Sequence, residues 1–187
     1  MGKLVLSMMM TLDGFVAGSQ NELDWVVWEE EMDRDASLLI DRADAMLVGY
    51  GAYKDMANYW PNALQKATSE AEKDFAKRIN AKHKIIVSQQ EQRLLWEDEE
   101  QLSGGDLKSQ IYDMKSKYDT IVAYGGVGLA QSLINEGLVD EYELIVSPVA
   151  LGKGKALFSL AQTPQKFASV RIKQYSSGAY RLFALQA

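Results

Sequence analysis

A run of glycines late in the chain is the segment of this sequence best suited to bind a ligand. Tyr124-Gly125-Gly126-Val127-Gly128-Leu129 lies between an apolar run typical of a buried strand and a stretch with a helical pattern. Glycines let the backbone approach a phosphate closely, and free N–H groups at a helix start attract its charge. The segment predicts either a phosphate or dinucleotide cradle, or a tight turn between strand and helix. Its late position and its lack of Lys and Ser/Thr distinguish it from the Rossmann fingerprint and the P-loop.

Three other loops are predicted beyond the carboxyl ends of strands, where open α/β sheets bind ligands. Asp13 follows the first strand and is either a substrate-binding carboxylate or proton relay, or part of an Asp-Gly turn. Gly49 and Gly51 follow the second strand and allow either close approach of a ligand or a helix-start turn. Lys153 and Lys155 follow a later strand and either receive an anionic ligand or are solvated.

The composition excludes several kinds of site. The chain has 187 residues, with 20 Lys plus Arg against 26 Asp plus Glu, a net charge of −6, no Cys and one His. Without Cys there is no disulfide, thiol nucleophile or Cys-based zinc site, and His83 alone forms no His cluster. We therefore expect no metal site. The acidic balance argues against nucleic-acid and membrane partners.

The chain reads as one domain over residues 1–187. Its apolar fraction of 47% and charged fraction of 25% are near the globular average. The N-terminal apolar run Leu4–Thr11 lacks the flanks of a signal peptide, and no run approaches the roughly 18 apolar residues of a membrane span. We expect a cytoplasmic protein.

Strands and helices are predicted to alternate along most of the chain. The predicted strands are Lys3–Met10, Ala45–Val48, Lys84–Ser88, Leu94–Glu97, Thr120–Ala123 and Glu141–Val146. The predicted helices are Asp24–Ala43, Tyr53–Tyr59 before Pro61, Glu70–Asn80, Asp106–Lys117 and Leu129–Glu136. Acidic residues including Asp33 crowd the first half of the first helix and suit its dipole. Apolar and basic residues alternate on both sides of Ser176-Ser177-Gly178, which predicts a β-hairpin at the end of the chain. The predicted fold class is α/β, with a mixed sheet that is mostly parallel.

Three stretches resemble the dihydrofolate-reductase-like fold, and more closely the reductase domain of the bifunctional riboflavin-biosynthesis deaminase–reductase and its stand-alone relatives. They are TLDGFVAG at 11–18 with Leu23-Asp24-Trp25, IVAYGGVGL at 121–129, and GLVDEYELIVSPVALGKGKALF at 137–158. The third stretch is the most specific. The resemblance spans nearly the whole chain and includes neither the deaminase domain nor its zinc ligands.

The resemblance implies a three-layer α/β/α domain with about eight strands in its sheet, usually a homodimer. It implies NADPH as cofactor, with NADH possible, and hydride transfer to a pyrimidine- or pterin-like heteroaromatic substrate such as 5-amino-6-(5-phosphoribosylamino)uracil. The implied cofactor-binding residues are Ala17, Gly49, Ser88, Gly125, Gly126, Val127, Gly128 and Leu129. The implied substrate-binding residues are Asp13, Trp25, Leu151 and Gly152, with Asp13 also catalytic.

The chain departs from the family pattern after the second strand. The family usually has Gly-Arg followed by Thr-Tyr or Thr-Trp there, whereas this chain has Gly49-Tyr50-Gly51-Ala52-Tyr53-Lys54, and Ser88-Gln89-Gln90 also lacks a basic residue. A charge-assisted phosphate contact is worth about 1.5–3 kcal/mol, or roughly one to two decades in affinity. We expect weaker NADPH binding, or less preference over NADH, with Lys54 as the cation that can compensate. The departure also motivates an alternative function, a non-catalytic ligand-binding or scaffold dimer with impaired cofactor binding.

Overall fold

The computed structural model describes all 187 residues and is built around one eight-stranded sheet. In spatial order the strands are Glu99–Ser103 (β5), Lys84–Ser88 (β4), Ala45–Gly49 (β3), Thr120–Tyr124 (β6), Lys3–Thr11 (β1), Glu141–Ser147 (β7), Tyr180–Gln186 (β10) and Phe167–Gln174 (β9). The first six run parallel, and β10 and β9 are antiparallel. The predicted α/β class, with a mostly parallel mixed sheet and a closing hairpin, is confirmed.

Five helices cover the two faces of this sheet. They are Glu30–Asp41 (α1), Tyr50–Lys66 (α2), Glu70–Ala81 (α3), Leu107–Lys117 (α4) and Val127–Asn135 (α5). Alternation along β3 decides which face each helix covers, since successive side chains of a strand point to opposite faces. Leu47 packs in one cluster with α4 and α5, whereas Met46 and Val48 pack in another with α1, α2 and α3. The result is the expected three-layer α/β/α arrangement. None of the five helices is long and apolar enough to cross a membrane.

The predicted start of the first helix at Asp24 is wrong, since α1 begins at Glu30. Tertiary hydrogen bonds hold the preceding segment in another conformation. The N–H of Val27 donates to Ser147 Oγ at 3.0 Å, which ties the segment to the end of β7. The Glu29 carboxylate accepts from the backbone N–H of Ser177 at 2.9 Å, in the β9–β10 turn. These two bonds hold the segment against the end of β7 and the β9–β10 turn, so the helix begins only after it.

The predicted end of the second helix before Pro61 is also wrong, because α2 continues through the proline to Lys66. A proline inside a helix costs about 3 kcal/mol. Packing on α3 offsets that cost: the Trp60 ring packs edge-on against Phe75 with centroids 5.1 Å apart. The Trp60 carbonyl also accepts from Asn80 Nδ2 at 2.8 Å.

The predicted strand Leu94–Glu97 is irregular chain, and the strand lies later, at β5. Trp96 is buried there, and its indole Nε1 donates to Asn80 Oδ1 at 2.9 Å. Its backbone N–H donates to the Tyr53 hydroxyl at 3.2 Å and to the Glu99 carboxylate at 3.1 Å, both side-chain acceptors, so it takes no part in a backbone ladder. A second, two-stranded sheet forms in the segment after β1, where the short strand Phe15–Ala17 (β2) pairs with Lys155–Ala156 (β8).

Candidate functional site

Two glycine turns pack against each other where the neighbouring strands β3 and β6 end. Gly49 is the last residue of β3, and Gly126 directly precedes α5. A Cβ on Gly126 would lie 3.0 Å from the Cα of Gly49, tighter than most real Cβ contacts. Gly125 and Gly126 also have φ angles of 95° and 96°, in the region that favours glycine. The close approach and the positive φ angles therefore both favour glycine where the two backbones meet.

The helices that begin at these turns, α2 and α5, have no side-chain cap at their N-termini. By contrast, Ser69 caps α3 and Asp106 caps α4. Uncapped first-turn N–H groups and the helix dipole together attract anions. A Cβ built on Gly128 would meet no atom within 4 Å, so open space adjoins the first turn of α5. Two adjacent helix N-termini with such access suit the phosphates of a dinucleotide.

A cavity of about 1570 Å³ opens over these turns. A single drug-sized ligand occupies a pocket of about 300–1,000 Å³, so this cavity has room for two ligands side by side. Its walls differ in chemistry. What we call the glycine side is formed by the ends of the strands and the start of α5, and includes Gly49, Ser88, Gln89, Gly104, Gly105 and Gly125–Leu129. What we call the aromatic side is formed by the loop before α1, by α1, α2 and α3, and by the end of β6. It includes Trp28, Asp33, Met56, Tyr59, Trp60, Glu72, Phe75 and Tyr124.

Eight of the residues assigned by resemblance line this cavity. They are Ala17, Gly49, Ser88, Gly125, Gly126, Val127, Gly128 and Leu129, which are the assigned cofactor residues other than Lys54. Lys54 lies outside the lining, with its ammonium 5.8 Å from the centroid of the Tyr50 ring. The expectation that Lys54 replaces the missing arginine therefore has no geometric support.

The structure brings together Asp13, Leu151 and Gly152, three of the four residues assigned to the substrate, but places them outside the cavity lining. The Asp13 carboxylate accepts from Thr11 Oγ1 at 2.6 Å and from the N–H groups of Gly152 at 2.7 Å and Leu151 at 3.2 Å. The Thr11 hydroxyl and the Gly152 amide lower the pKa of Asp13 below its usual value. Trp25, the fourth, is buried outside the lining, and its indole donates to the Glu22 carbonyl at 3.0 Å.

Replacing Asp13 with Asn is expected to lower thermal stability at neutral pH, because the amide has one acceptor oxygen where the carboxylate uses two. A lowered pKa means that the carboxylate stabilises the fold above the unfolded-state pKa, and that this contribution is lost as pH falls. The stability difference should therefore shrink in acid. Thermal unfolding of both proteins at neutral and acidic pH tests this, with Asp24→Asn as the control. A difference independent of pH would contradict it.

Sequence reasoning missed the aromatic side of the cavity. Tyr59 and Trp60 have ring centroids 4.9 Å apart, and Trp60 in turn packs on Phe75 and Phe75 on Tyr124. Two carboxylates interrupt this wall, Asp33 and Glu72, and Asp33 is the buried one, at 7% exposed. One signal was available: Asp33 lies three and seven positions before Ala36 and Ile40, so it shares the buried stripe of α1 rather than its solvated face.

The chain shows similarity to known proteins along almost its whole length. Residues 2–180 match the family described as RibD C-terminal domain. The uncharacterized protein YyaP of Bacillus subtilis strain 168 is 26% identical over 181 residues, which cover 96% of this chain and 93% of that protein. A putative riboflavin biosynthesis protein from Shewanella sp. PV-4 has a similar structure, with a TM-score of 0.76 at 20% identity over 99% of each chain.

Two further solved structures relate the fold to reductases. The riboflavin biosynthesis reductase Rib7 of Saccharomyces cerevisiae has a TM-score of 0.64 at 16% identity, covering 100% of this chain and 90% of that one. Dihydrofolate reductase from Enterococcus faecalis, complexed with NADP(H), has a TM-score of 0.63 at 9% identity, covering 99% and 96%. The fold is therefore dihydrofolate-reductase-like, as the resemblance implied.

Proposed function

The chain belongs to the RibD C-terminal domain family, and from that premise we propose that it is an NAD(P)H-dependent reductase that transfers a hydride to a small pyrimidine- or pterin-like substrate. One observation carries the proposal. Two uncapped helix N-termini meet at turns whose positive φ angles and close approach favour glycine, and they open on a cavity with room for two ligands. The reductase activity of riboflavin-biosynthesis members of the fold supports the reaction class.

The residues on the glycine side fit a dinucleotide. The N–H groups of Val127, Gly128 and Leu129 would hold its pyrophosphate, because they begin α5 and lack a capping side chain. The absence of a side chain at Gly49 leaves the adjoining turn close-packed and flat. Ser88 would lie near the adenosine ribose. When bound, the reduced nicotinamide supplies the hydride.

The chain itself supplies orientation and exclusion of water in this proposal. Met9 on β1 and Ile145 on β7 are paired in register and add an apolar surface to the lining of the cavity. A dry surface strengthens the electrostatic interactions above it and holds the reacting rings in register. Reduction adds the hydride and one proton across a double bond of the substrate, and water at the cavity mouth supplies the proton. Asp13 acts as a positioning residue, through the loop at Gly152 that its carboxylate holds.

Titration with NADPH and NADH, followed by the fluorescence of the reduced nicotinamide, tests this function. We expect both cofactors to bind, with dissociation constants that differ by less than about tenfold, because no basic residue follows Ser88. Failure of both to bind at millimolar concentration would overturn the reductase and favour the non-catalytic ligand-binding dimer.

We also propose that the chain forms a homodimer through the edge of its sheet. On edge strand β9, Val170 is 52% exposed and Ile172 is 63% exposed, although both are strand-forming apolar residues. A second copy packed on this edge would remove them from water. Light scattering should give twice the mass of one chain, and the mass of a single chain would contradict the proposal.

A further inference from the structure

The connection between β4 and β5 borders the cavity, although its backbone pairs with no other part of the backbone. Residues 89–97 take part in no backbone–backbone hydrogen bond. Gln89, Gln90 and Gln92 of this connection nevertheless line the cavity beside Ser88. Backbone N–H and C=O groups need partners, and a connection without them has many conformations of similar energy. Side chains must therefore hold this part of the cavity wall.

The strand β5 supplies two of these side chains. Glu99 and Gln101 are two positions apart, so they lie on one face of the strand. The Glu99 carboxylate accepts from the Trp96 N–H at 3.1 Å. The Gln101 amide makes two bonds, since its Oε1 accepts from the Gln92 N–H at 3.0 Å and its Nε2 donates to the Gln90 carbonyl at 2.7 Å. A single side chain thus joins both ends of the segment 90–92.

The two partners fix the orientation of the Gln101 amide. A backbone N–H can only donate and a carbonyl can only accept, so the amide oxygen must face Gln92 and the nitrogen must face Gln90. A carboxylate at this position would accept from Gln92 but would repel the Gln90 carbonyl. An apolar side chain would meet neither group. Both bonds together therefore require an amide.

The other side chains that hold the connection act on its second half. The Tyr53 hydroxyl accepts from the N–H groups of Leu95 and Trp96. The Lys84 ammonium donates to the Glu97 carbonyl at 2.9 Å. None of residues 95–97 lines the cavity. These contacts therefore fix a part of the connection that a ligand in the cavity would not meet.

Gln101 holds the cavity wall without belonging to it. Its side chain is half-buried and lies outside the lining. The Gln90 N–H also donates to Ser88 Oγ, but at 3.3 Å this bond is longer than either bond of Gln101. A ligand in the cavity would therefore be affected by Gln101 only through the position of the segment 90–92.

We propose that Gln101 is a positioning residue for the adenosine half of the dinucleotide and acts through the segment 90–92. The inference rests on the proposed function, which places the adenosine ribose near Ser88. A wall that already has its bound conformation costs less to order when a ligand arrives, so the two bonds raise affinity without a contact to the ligand. The lining residues of this wall are uncharged glutamines, so NADH and NADPH should benefit equally.

Replacing Gln101 with Met removes both bonds and keeps the length of the side chain. The probes are NADH, ADP-ribose, which keeps the adenosine half, and reduced nicotinamide mononucleotide, which lacks it. We expect NADH and ADP-ribose to bind Gln101→Met at least about fivefold more weakly, by the same factor, and the mononucleotide to bind both proteins alike. Calorimetric titration measures all three. Unchanged affinity for NADH, or a loss that the mononucleotide shares, would overturn the proposal.

The matched control is Gln165→Met. Gln165 is also half-buried, and its amide donates to the Thr163 carbonyl at 3.1 Å, in a loop outside the cavity. We expect this variant to change the affinity for NADH by less than about twofold. A loss as large as that of Gln101→Met would show that losing any such amide weakens binding, and would overturn the proposal.

Amide hydrogen exchange of the free protein tests the clamp without a cofactor. We expect the Gln92 amide to exchange at least about tenfold faster in Gln101→Met, while the Leu95 and Trp96 amides keep their rates, because Tyr53 still holds them. An unchanged rate at Gln92 would overturn the clamp. Faster exchange at all three amides would show a general loosening of the connection and would overturn the local role of Gln101.

The titrations also separate this inference from the proposed function. Failure of the wild type to bind NADH and ADP-ribose at millimolar concentration would overturn the reductase, and this inference with it. Binding of both by the wild type, with equal affinities in Gln101→Met, would overturn this inference alone.

Discussion

Replacing Gly128 with Asp is expected to weaken NADPH binding by about ten- to a hundredfold while leaving the protein as stable as before, or more stable. The new Cβ meets no atom within 4 Å, so the fold accommodates it. Removing a glycine from a helix and placing an acidic residue in its first turn together stabilise α5 by about 0.5–1 kcal/mol. The same carboxylate would occupy the cradle and repel the pyrophosphate, with the loss of a charge-assisted contact worth about 1.5–3 kcal/mol.

Gly128→Asp should weaken NADPH binding without destabilising the fold, so a loss of affinity could not be attributed to unfolding. Nicotinamide fluorescence gives the dissociation constant, and thermal unfolding gives the stability. Gly128→Asn is the matched control, because it has nearly the same size without the charge, and we expect a smaller loss of affinity. Wild-type affinity in Gly128→Asp would show that the phosphates bind elsewhere.

Sequence alone does not distinguish Gly126 from Gly128, although the structure gives them different tasks. Both stand in one glycine run and both suit a phosphate cradle. Gly126 has a φ of 96°, and a Cβ there would press on the backbone of Gly49, so substituting it disturbs the turn as well as the site. Gly128 is helical and open. The difference depends on where β3 ends, which lies far away in the sequence.

The sheet was predictable because its strands are continuous apolar runs. Leu4-Val5-Leu6 and Ile121-Val122-Ala123 are buried on both faces, and such runs identify parallel strands without knowledge of their partners. The start of α1 was not predictable, because its helical pattern extends back to Asp24 and is interrupted by bonds to distant residues, from Val27 to Ser147 and from Ser177 to Glu29. Local sequence pattern therefore predicts an element correctly unless contacts between residues distant in the sequence stabilise a different conformation.

The glycine side of the cavity was predictable because its residues lie where strands end. The aromatic side was not, because its residues lie on helices and a loop whose orientation depends on packing. Gly49 directly follows one predicted strand and Ser88 ends another, and the carboxyl ends of parallel strands meet at one edge. Trp28, Trp60 and Asp33 come from a loop and two helices whose rotation about their axes depends on packing. Pro61 further concealed the second half of α2, where Trp60 lies.

Introducing arginine at Gln89 is expected to tighten NADPH binding by about ten- to a hundredfold and to leave NADH binding nearly unchanged. Gln89 lines the cavity directly after Ser88, its side chain is exposed, and it makes no hydrogen bond in the protein. Replacement therefore breaks nothing. A guanidinium fork there matches the 2′-phosphate that distinguishes NADPH from NADH, and such a contact contributes about 1.5–3 kcal/mol.

The preference of the wild type between NADPH and NADH is expected not to depend on Lys54. Because the Lys54 ammonium packs over Tyr50 outside the cavity, Lys54→Gln should change neither dissociation constant by more than about twofold. Parallel titrations of the wild type, Gln89→Arg and Lys54→Gln with both cofactors measure these effects. Equal tightening of NADPH and NADH by Gln89→Arg would place the arginine at a phosphate that both cofactors share. Loss of NADPH selectivity in Lys54→Gln would mean that this lysine replaces the family's arginine after all, through a side-chain position that differs from the one over Tyr50.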